Sequence, residues 1–218
     1  MNEQGVFTMR KFNNIYCYNR YFDAAKPIVL LNSHLDTVKP NSQYTNDPFK
    51  PIIKDGKLYG LGSNDAGGAL VSLISLFLHF YMRPDLPYNL CLAVTAEEEN
   101  SGQKGIKCLL DDLMPISFAI VVEPTGMEIA IAEKGSMVLD CFSTGGKTYS
   151  STTSSDQGWL SMPSVKMGPG DPARSHIADE YIYLHEINDG ITIYIDLLES
   201  LIPYLAQPTQ WKLNAHQA

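Results

Sequence analysis

Five short segments hold residue types that can do chemistry, and each follows or precedes a run that reads as regular structure. In Pro27-Ile28-Val29-Leu30-Leu31-Asn32-Ser33-His34-Leu35-Asp36-Thr37, an apolar strand delivers His34 at its carboxyl end, with Asp36 two residues on. In open α/β sheets that end of a strand is where ligands bind. Taken alone, a histidine there is more often a hydrogen-bonded structural residue. Gly60-Leu61-Gly62-Ser63-Asn64-Asp65-Ala66-Gly67-Gly68 precedes an apolar helix, so Asp65 is placed to cap it. The segment has neither Rossmann spacing nor a Walker lysine, which disfavours a phosphate loop. Glu97-Glu98-Glu99 follows a third apolar run, and like charges so close favour protonation or a bound cation. Val121-Val122-Glu123-Pro124-Thr125-Gly126 repeats that layout with one carboxylate. Gly168-Pro169-Gly170-Asp171-Pro172-Ala173-Arg174-Ser175-His176 is a turn-rich loop ending in a histidine, with Asp179 and Glu180 close behind.

Together these segments place two histidines and at least three carboxylates at strand ends or in loops. Such nitrogen and oxygen donors suit zinc or cobalt. A charge count is consistent with two ions. Two divalent cations carry four positive charges, Asp65, Glu99 and Glu123 offset three, neutral His34 and His176 offset none, and one bridging hydroxide balances the rest. Two metals sharing a carboxylate lower the pKa of bound water from ~15.7 towards ~7. A further carboxylate outside the ligand set is then needed as general base, and Glu98 is the choice.

The elements that must position these groups read as an α/β arrangement. β-type runs recur at Ile15–Tyr18, Ile28–Asn32, Lys57–Tyr59, Asn89–Thr95, Phe118–Val122, Ile129–Ala132 and Met137–Phe142. The clearest helical pattern starts after Asp65 and runs to about Met82, with Ala69, Leu70, Leu73, Leu76, Phe77 and Phe80 at helical spacing. Further helices are expected over Lys104 to Leu113 and Asp189 to Tyr204. Residues 143–155 are small, polar and turn-forming and read as a surface connection, and 207–218 as a loose tail, leaving 1–218 as one catalytic domain.

Composition narrows the function classes. With 218 residues, 44% hydrophobic and 18% charged, the chain can bury a core without disulfides or a structural metal. A net charge of -8 without clustered cations argues against nucleic acid or an anionic membrane as partner and leaves a small molecule. Cys17, Cys91, Cys108 and Cys141 form no C-x-x-C pair and read as reduced. The longest apolar stretch, Leu70 to Tyr81, is too short to span a bilayer, and no signal segment opens the chain, so a cytoplasmic protein is expected.

At these residues the sequence resembles the family of acetylornithine deacetylase, succinyl-diaminopimelate desuccinylase and aminoacylase, zinc-dependent metallohydrolases with a catalytic and a lid domain. The likeness is carried by H-L-D-T-V, the G-x-x-x-N-D-A-x-G-G region, E-E-E-N-S-G, V-E-P-T-G and G-P-G-x-x-x-x-S-H-x-x-D-E-Y, in that order. The resemblance implies a zinc-exopeptidase-like, three-layer αβα sandwich around a mixed, mostly parallel sheet. It further implies that His34 and Glu123 bind one metal, Glu99 and His176 the other, and that Asp65 bridges them. Glu98 would be the base activating a metal-bridging water, and Asp36 would orient His34. The triple glutamate leaves the register open by one, with Glu98 and Glu99 preferred over Glu97 and Glu98. The implied activity is deacylation of N-acyl amino acids, most like acetylornithine deacetylase in arginine biosynthesis. Two alternatives stand beside it: a dipeptidase or aminopeptidase on the same scaffold, and a metal-binding domain with little turnover. The last arises because the family's leading helical segment and its lid both read as missing, the linker 143–155 standing where the lid would be inserted. Without that dimerisation surface, a monomer is expected.

Overall fold

A computed structural model describes residues 5–133, 148–151 and 155–205. In chain order the first half contains β1 (Met9–Lys11), β2 (Asn14–Tyr18), β3 (Ile28–His34), β4 (Ile52–Lys54), β5 (Lys57–Tyr59), α1 (Ala69–Tyr81) and β6 (Asn89–Thr95). The second half contains α2 (Ile106–Leu109), β7 (Phe118–Val121), β8 (Ile129–Glu133), β9 (Thr148–Ser151), β10 (Ser164–Lys166), β11 (Tyr181–Tyr183) and α3 (Leu184–Leu205).

An eight-stranded sheet runs β1-β2-β6-β3-β7-β10-β8-β9. β3 pairs parallel with both β6 and β7, as does β10 with β7 and β8 with β9. The β1–β2, β2–β6 and β8–β10 pairs are antiparallel. A parallel sheet must be covered on both faces, because its crossovers lie over them. Alternation along the strands divides the apolar side chains accordingly. Val29, Leu31, Leu90, Leu92 and Ile120 pack with Leu73, Phe77 and Phe80 of α1 and Tyr194 and Leu198 of α3. Ile28, Leu30, Cys91, Ala93 and Ala119 face the other way, onto Ile106 and Leu109 of α2 with Trp159 and Leu160. The result is the α/β layering expected from the run of elements, around a mixed, mostly parallel sheet.

A small antiparallel sheet, β11-β5-β4, lies beside the turn that carries Asp65. Ile182 of β11 is buried so close to that turn that a Cβ on Gly68 would lie 2.4 Å from its Cδ1.

The elements depart from the sequence expectations in defined ways. Asp65 does not cap α1: residues Ser63–Gly68 form a separate kinked turn, and the helix starts at Ala69 without a side-chain cap. Glycines 67 and 68 allow that kink to close against Gly62, whose carbonyl accepts from Gly67 N–H at 2.7 Å. The helix expected over Lys104 to Leu113 contracts to the single turn α2, whereas α3 begins at Leu184, ahead of Asp189. Within the stretch read as a linker, Thr148–Ser151 forms β9 parallel to β8, extending the edge of the sheet. The strand expected at Met137–Phe142, the remainder of the linker between 134 and 154, and the tail from 207 lie outside the described residues. Of the cysteines, Cys17, Cys91 and Cys108 are free.

Leu31, fully buried on the central strand, tests the core: Leu31→Ala should lower the unfolding free energy by about 2–5 kcal/mol in urea denaturation. Val71→Ala, at an exposed position of α1, should change it by less than about 0.5 kcal/mol.

Candidate metal centre

The register of the three central strands brings the site together. His34 lies level with Thr95, and Asn32 level with both Ala93 and Val121, so β3, β6 and β7 end side by side at one edge of the sheet. The residues just past those ends are Asp36, Glu97 to Glu99 and Glu123. The turn before α1 adds Asp65, and the loop before β11 adds His176.

His34 is completely buried, and its orientation is decided by the backbone. Nδ1 lies 3.0 Å from the carbonyl oxygen of Asp36. A carbonyl can only accept, so Nδ1 carries the hydrogen and, in the neutral ring, Nε2 presents its lone pair. That lone pair faces Asp65 Oδ1 at 3.2 Å, Glu123 Oε2 at 3.6 Å and Glu98 Oε2 at 3.9 Å. Acceptors facing an acceptor repel unless a proton or a cation lies between them. Burial alone would lower the pKa of His34, but Glu123, Asp36 and Asp65 outweigh it and raise it strongly.

His176 stands on the opposite side of Asp65, half exposed and at a left-handed φ of 63°. Its Nε2 lies 3.0 Å from Glu99 Oε2 and 3.4 Å from Asp65 Oδ2. The two oxygens of Asp65 therefore face different histidines, as a carboxylate shared by two ions would. Glu98 groups with His34 and Glu123, while Glu99 lies against His176 and also falls within reach of His34 and Asp65. Glu97 turns away, and its Oε2 accepts from Lys104 N–H at 3.0 Å. One oxygen of Glu123, Oε1, is buried without a hydrogen-bond partner, an acceptor that a cation would satisfy. The donor set, two imidazoles and carboxylates, fits a borderline divalent cation.

Asp36 does more than sit behind the histidine. Its Oδ1 and Oδ2 accept, at 3.3 Å each, from the N–H groups of Glu98 and Glu99. One residue thus sets both the tautomer of His34 and the path of the glutamate segment. Arg174 makes a two-point ion pair with Glu186 at 2.8 and 2.5 Å, so its guanidinium is committed within the fold.

Two carboxylates were given no role from the sequence. Asp156, nearly fully buried, accepts from Thr95 Oγ1 at 2.7 Å beneath the end of β6. Glu180, also buried, accepts from the backbone of the Asp65 turn. Glu180 stands within the S-H-x-x-D-E-Y motif, four residues after a histidine of the cluster, and that spacing was the available signal; Asp156 follows a polar run and offered none.

Burial pushes the Glu98 carboxyl up to about 9, with Glu123 adding to the rise. Burial likewise raises Glu123, Glu99 and, to about 6, Asp156. Asp65 and Asp36, despite burial, are held below the usual range by His34.

Fold and cluster define an α/β protein with a candidate dinuclear metal centre. Residues 30–135 match Peptidase family M20/M25/M40. Among curated relatives, a succinyl-diaminopimelate desuccinylase of Helicobacter pylori (strain HPAG1) is 40% identical over 114 residues, 48% of this chain and 29% of that protein. A probable succinyl-diaminopimelate desuccinylase of Staphylococcus aureus (strain Mu50 / ATCC 700699) is 35% identical over 129 residues, 57% of this chain and 32% of that protein. The chain thus spans about a third or less of the relatives it matches. Among solved structures, a tripeptidase from Staphylococcus aureus subsp. aureus Mu50 aligns with TM-score 0.70 at 14% identity, over 94% of this chain and 90% of that one. The aminopeptidase PepT from Bacillus cereus ATCC 10987 aligns with TM-score 0.66 at 14% identity, over the same shares. At such identities these two structures speak for the fold. Residues 30–135, just under half of the chain, are thus similar to that family's sequences, in agreement with the resemblance carried by the motifs.

The raised carboxyls predict a pH dependence for the metal-free protein. A group whose pKa is higher folded than unfolded favours folding below its unfolded value, and that contribution is lost as pH rises through the folded one. For Glu98 the window runs from 4.5 to about 9. Thermal melts in chelator should therefore show a lower Tm at pH 9 than at pH 6, and added zinc should flatten the difference.

Proposed function

We propose that this chain carries the catalytic centre of a metal-dependent amide hydrolase that deacylates N-acyl amino acids. The observation that carries this reading is the shared carboxylate: Asp65 turns one oxygen to His34 at 3.2 Å and the other to His176 at 3.4 Å. Each histidine has a further carboxylate on its own side, Glu123 for His34 and Glu99 for His176. Those four residues and Asp65 would hold two divalent cations. Zinc is favoured, because two imidazoles and three carboxylates are the nitrogen and oxygen donors that suit it. When bound, the ions would supply Lewis acidity towards the amide carbonyl and water of lowered pKa.

The protein's own part is positional and protolytic. Glu98 lies beside the His34 and Glu123 pair, where it would take a proton from the attacking water and return it to the leaving amine. Burial, with repulsion from Glu123 added, favours the protonated form of this carboxyl in the metal-free protein, and a bound cation would favour the ionised form that can act as a base. Asp36 keeps His34 and the Glu98–Glu99 backbone in register.

The relatives' names favour an N-succinyl diamino acid as the first substrate to try, ahead of the N-acetylornithine suggested by the motifs. Among the described residues no helix is long and apolar enough to cross a membrane, consistent with a small dissolved substrate. A second reading is cation binding with little turnover, which needs the same five ligand residues but no proton transfer by Glu98.

Release of free amine from N-succinyl-diaminopimelate, N-acetylornithine and a dipeptide, with zinc added, separates these readings. Glu98→Gln should cut any hydrolysis by about 10²–10⁴ while two ions stay bound. Loss of an ion in that variant would mean that base and ligand are exchanged. His34→Ala should lower the metal content per chain, and an unchanged content would remove His34 from the ligand set. Two bound ions without turnover on any of the three substrates would favour the second reading.

A further inference from the structure

Glu180 is tied by hydrogen bonds to the backbone of the turn that carries Asp65. It is 1% exposed. Its Oε1 accepts from the N–H groups of Asn64 and Asp65, both at 2.8 Å, and its Oε2 accepts from Gly62 N–H at 3.0 Å. Its own carbonyl accepts from Gly60 N–H at 3.0 Å and Ser63 Oγ at 3.3 Å. Successive N–H groups converging on one anion form a concave cradle, in which each bond is charge-assisted and stronger than a neutral one. Here the anion is a side chain of the protein, and the cradle is the turn that presents Asp65. Asn64 adds a second tie, its Nδ2 donating to the Asp171 carbonyl at 3.1 Å, while its Oδ1 lies where a Cβ on Gly170 would intrude at 2.5 Å. The Asp65 turn is thus moulded to the segment 170–180, which also carries His176.

The two halves of the cluster are anchored differently. His34 and Glu123 follow strands in the middle of the sheet, and the ring of His34 is held by Asp36. His176 projects from a loop, half exposed, four residues before Glu180.

We propose that Glu180 is a positioning residue that fixes the bridging carboxylate of Asp65 relative to His176, and thereby sets the affinity of the outer cation position, the one between Glu99 and His176. This rests on the dinuclear reading above. A glutamine cannot replace Glu180 in this role. Its amide has one accepting oxygen and one donating NH2, so in either orientation a donor faces a backbone N–H that has lost its acceptor. An aspartate keeps the charge but is one methylene short of the three N–H groups.

Cobalt titration of chelator-treated wild type, Glu180→Gln and Glu180→Asp, with bound metal counted by equilibrium dialysis and read by visible absorption, tests the role. Wild type should bind two ions. In Glu180→Gln the second ion should bind about 10–100-fold more weakly, and the first, which shares Asp65 but is also held by His34 and Glu123 at the strand ends, should weaken far less. Glu180→Asp should fall between, and its ratio of the two constants decides the matter if the glutamine variant does not fold. Equal weakening of both ions would show that Glu180 serves general stability only, and unchanged constants would show no role; either result overturns the proposal. A wild-type protein that binds fewer than two ions would instead overturn the dinuclear reading, whatever Glu180 does.

Discussion

Four carboxylates, those of Asp65, Glu98, Glu99 and Glu123, share a space a few ångströms across with only two imidazoles, and mutual repulsion within that space is the constraint the rest of the structure answers to. Buried like charges cost several kcal/mol each unless they are paired or protonated. Among the described residues the fold opposes that repulsion with position and hydrogen bonds. Arg174, the candidate nearest in sequence to His176, is spent on Glu186 and stacks over Tyr181 with its guanidinium carbon 5.1 Å from the ring centroid.

Holding repelling groups together requires a rigid support, and the sheet supplies it. β3, β6 and β7 are apolar on both faces and buried throughout their shared length, so the residues just past their ends inherit little freedom. Helix α1 and the small sheet then clamp the turn of Asp65 from the other side, through the contact of Ile182 with Gly68. Polar supports complete the arrangement: Asp36 beneath the glutamates, Asp156 beneath Thr95, Glu180 beneath Asp65. Each holds backbone or hydroxyl hydrogens, and the cations proposed above would offset the negative charge these carboxylates bring.

How much of this was legible in the sequence depended on whether a signal was local. The central strands and α1 are long apolar runs, and the groups at their ends announced themselves by following those runs: His34, Glu123 and the glutamate triplet. Short strands of three residues, β1, β4, β10 and β11, have no periodicity to read and exist through their neighbours. Asp65 illustrates the ambiguity of a local pattern, since an aspartate before a helix reads as a cap until the kink at Ser63–Gly68 is seen to turn it towards two histidines. The choice among Glu97, Glu98 and Glu99 was likewise closed to counting, because it depends on a left-handed φ of 62° at Glu97 that turns that side chain out. Glu180 and Asp156 escaped for a different reason: their partners are backbone N–H groups and a threonine far away in the chain, which leave no mark in the local composition.

The bonds that complete the cluster join distant parts of the chain: Glu180 reaches Asp65 across 115 residues, and His176 reaches Glu99 across 77. Contacts of such separation are among the last to form, because a long loop must close before they return anything. During synthesis, the segment bearing His34, Asp65 and the glutamates emerges well before the loop that faces them. The nascent chain therefore passes through a stage in which its acidic half-site is complete and its outer wall is missing. An ion at the proposed outer position would need both sides of that closure, so its loading would report on the long-range contacts and not on the local elements.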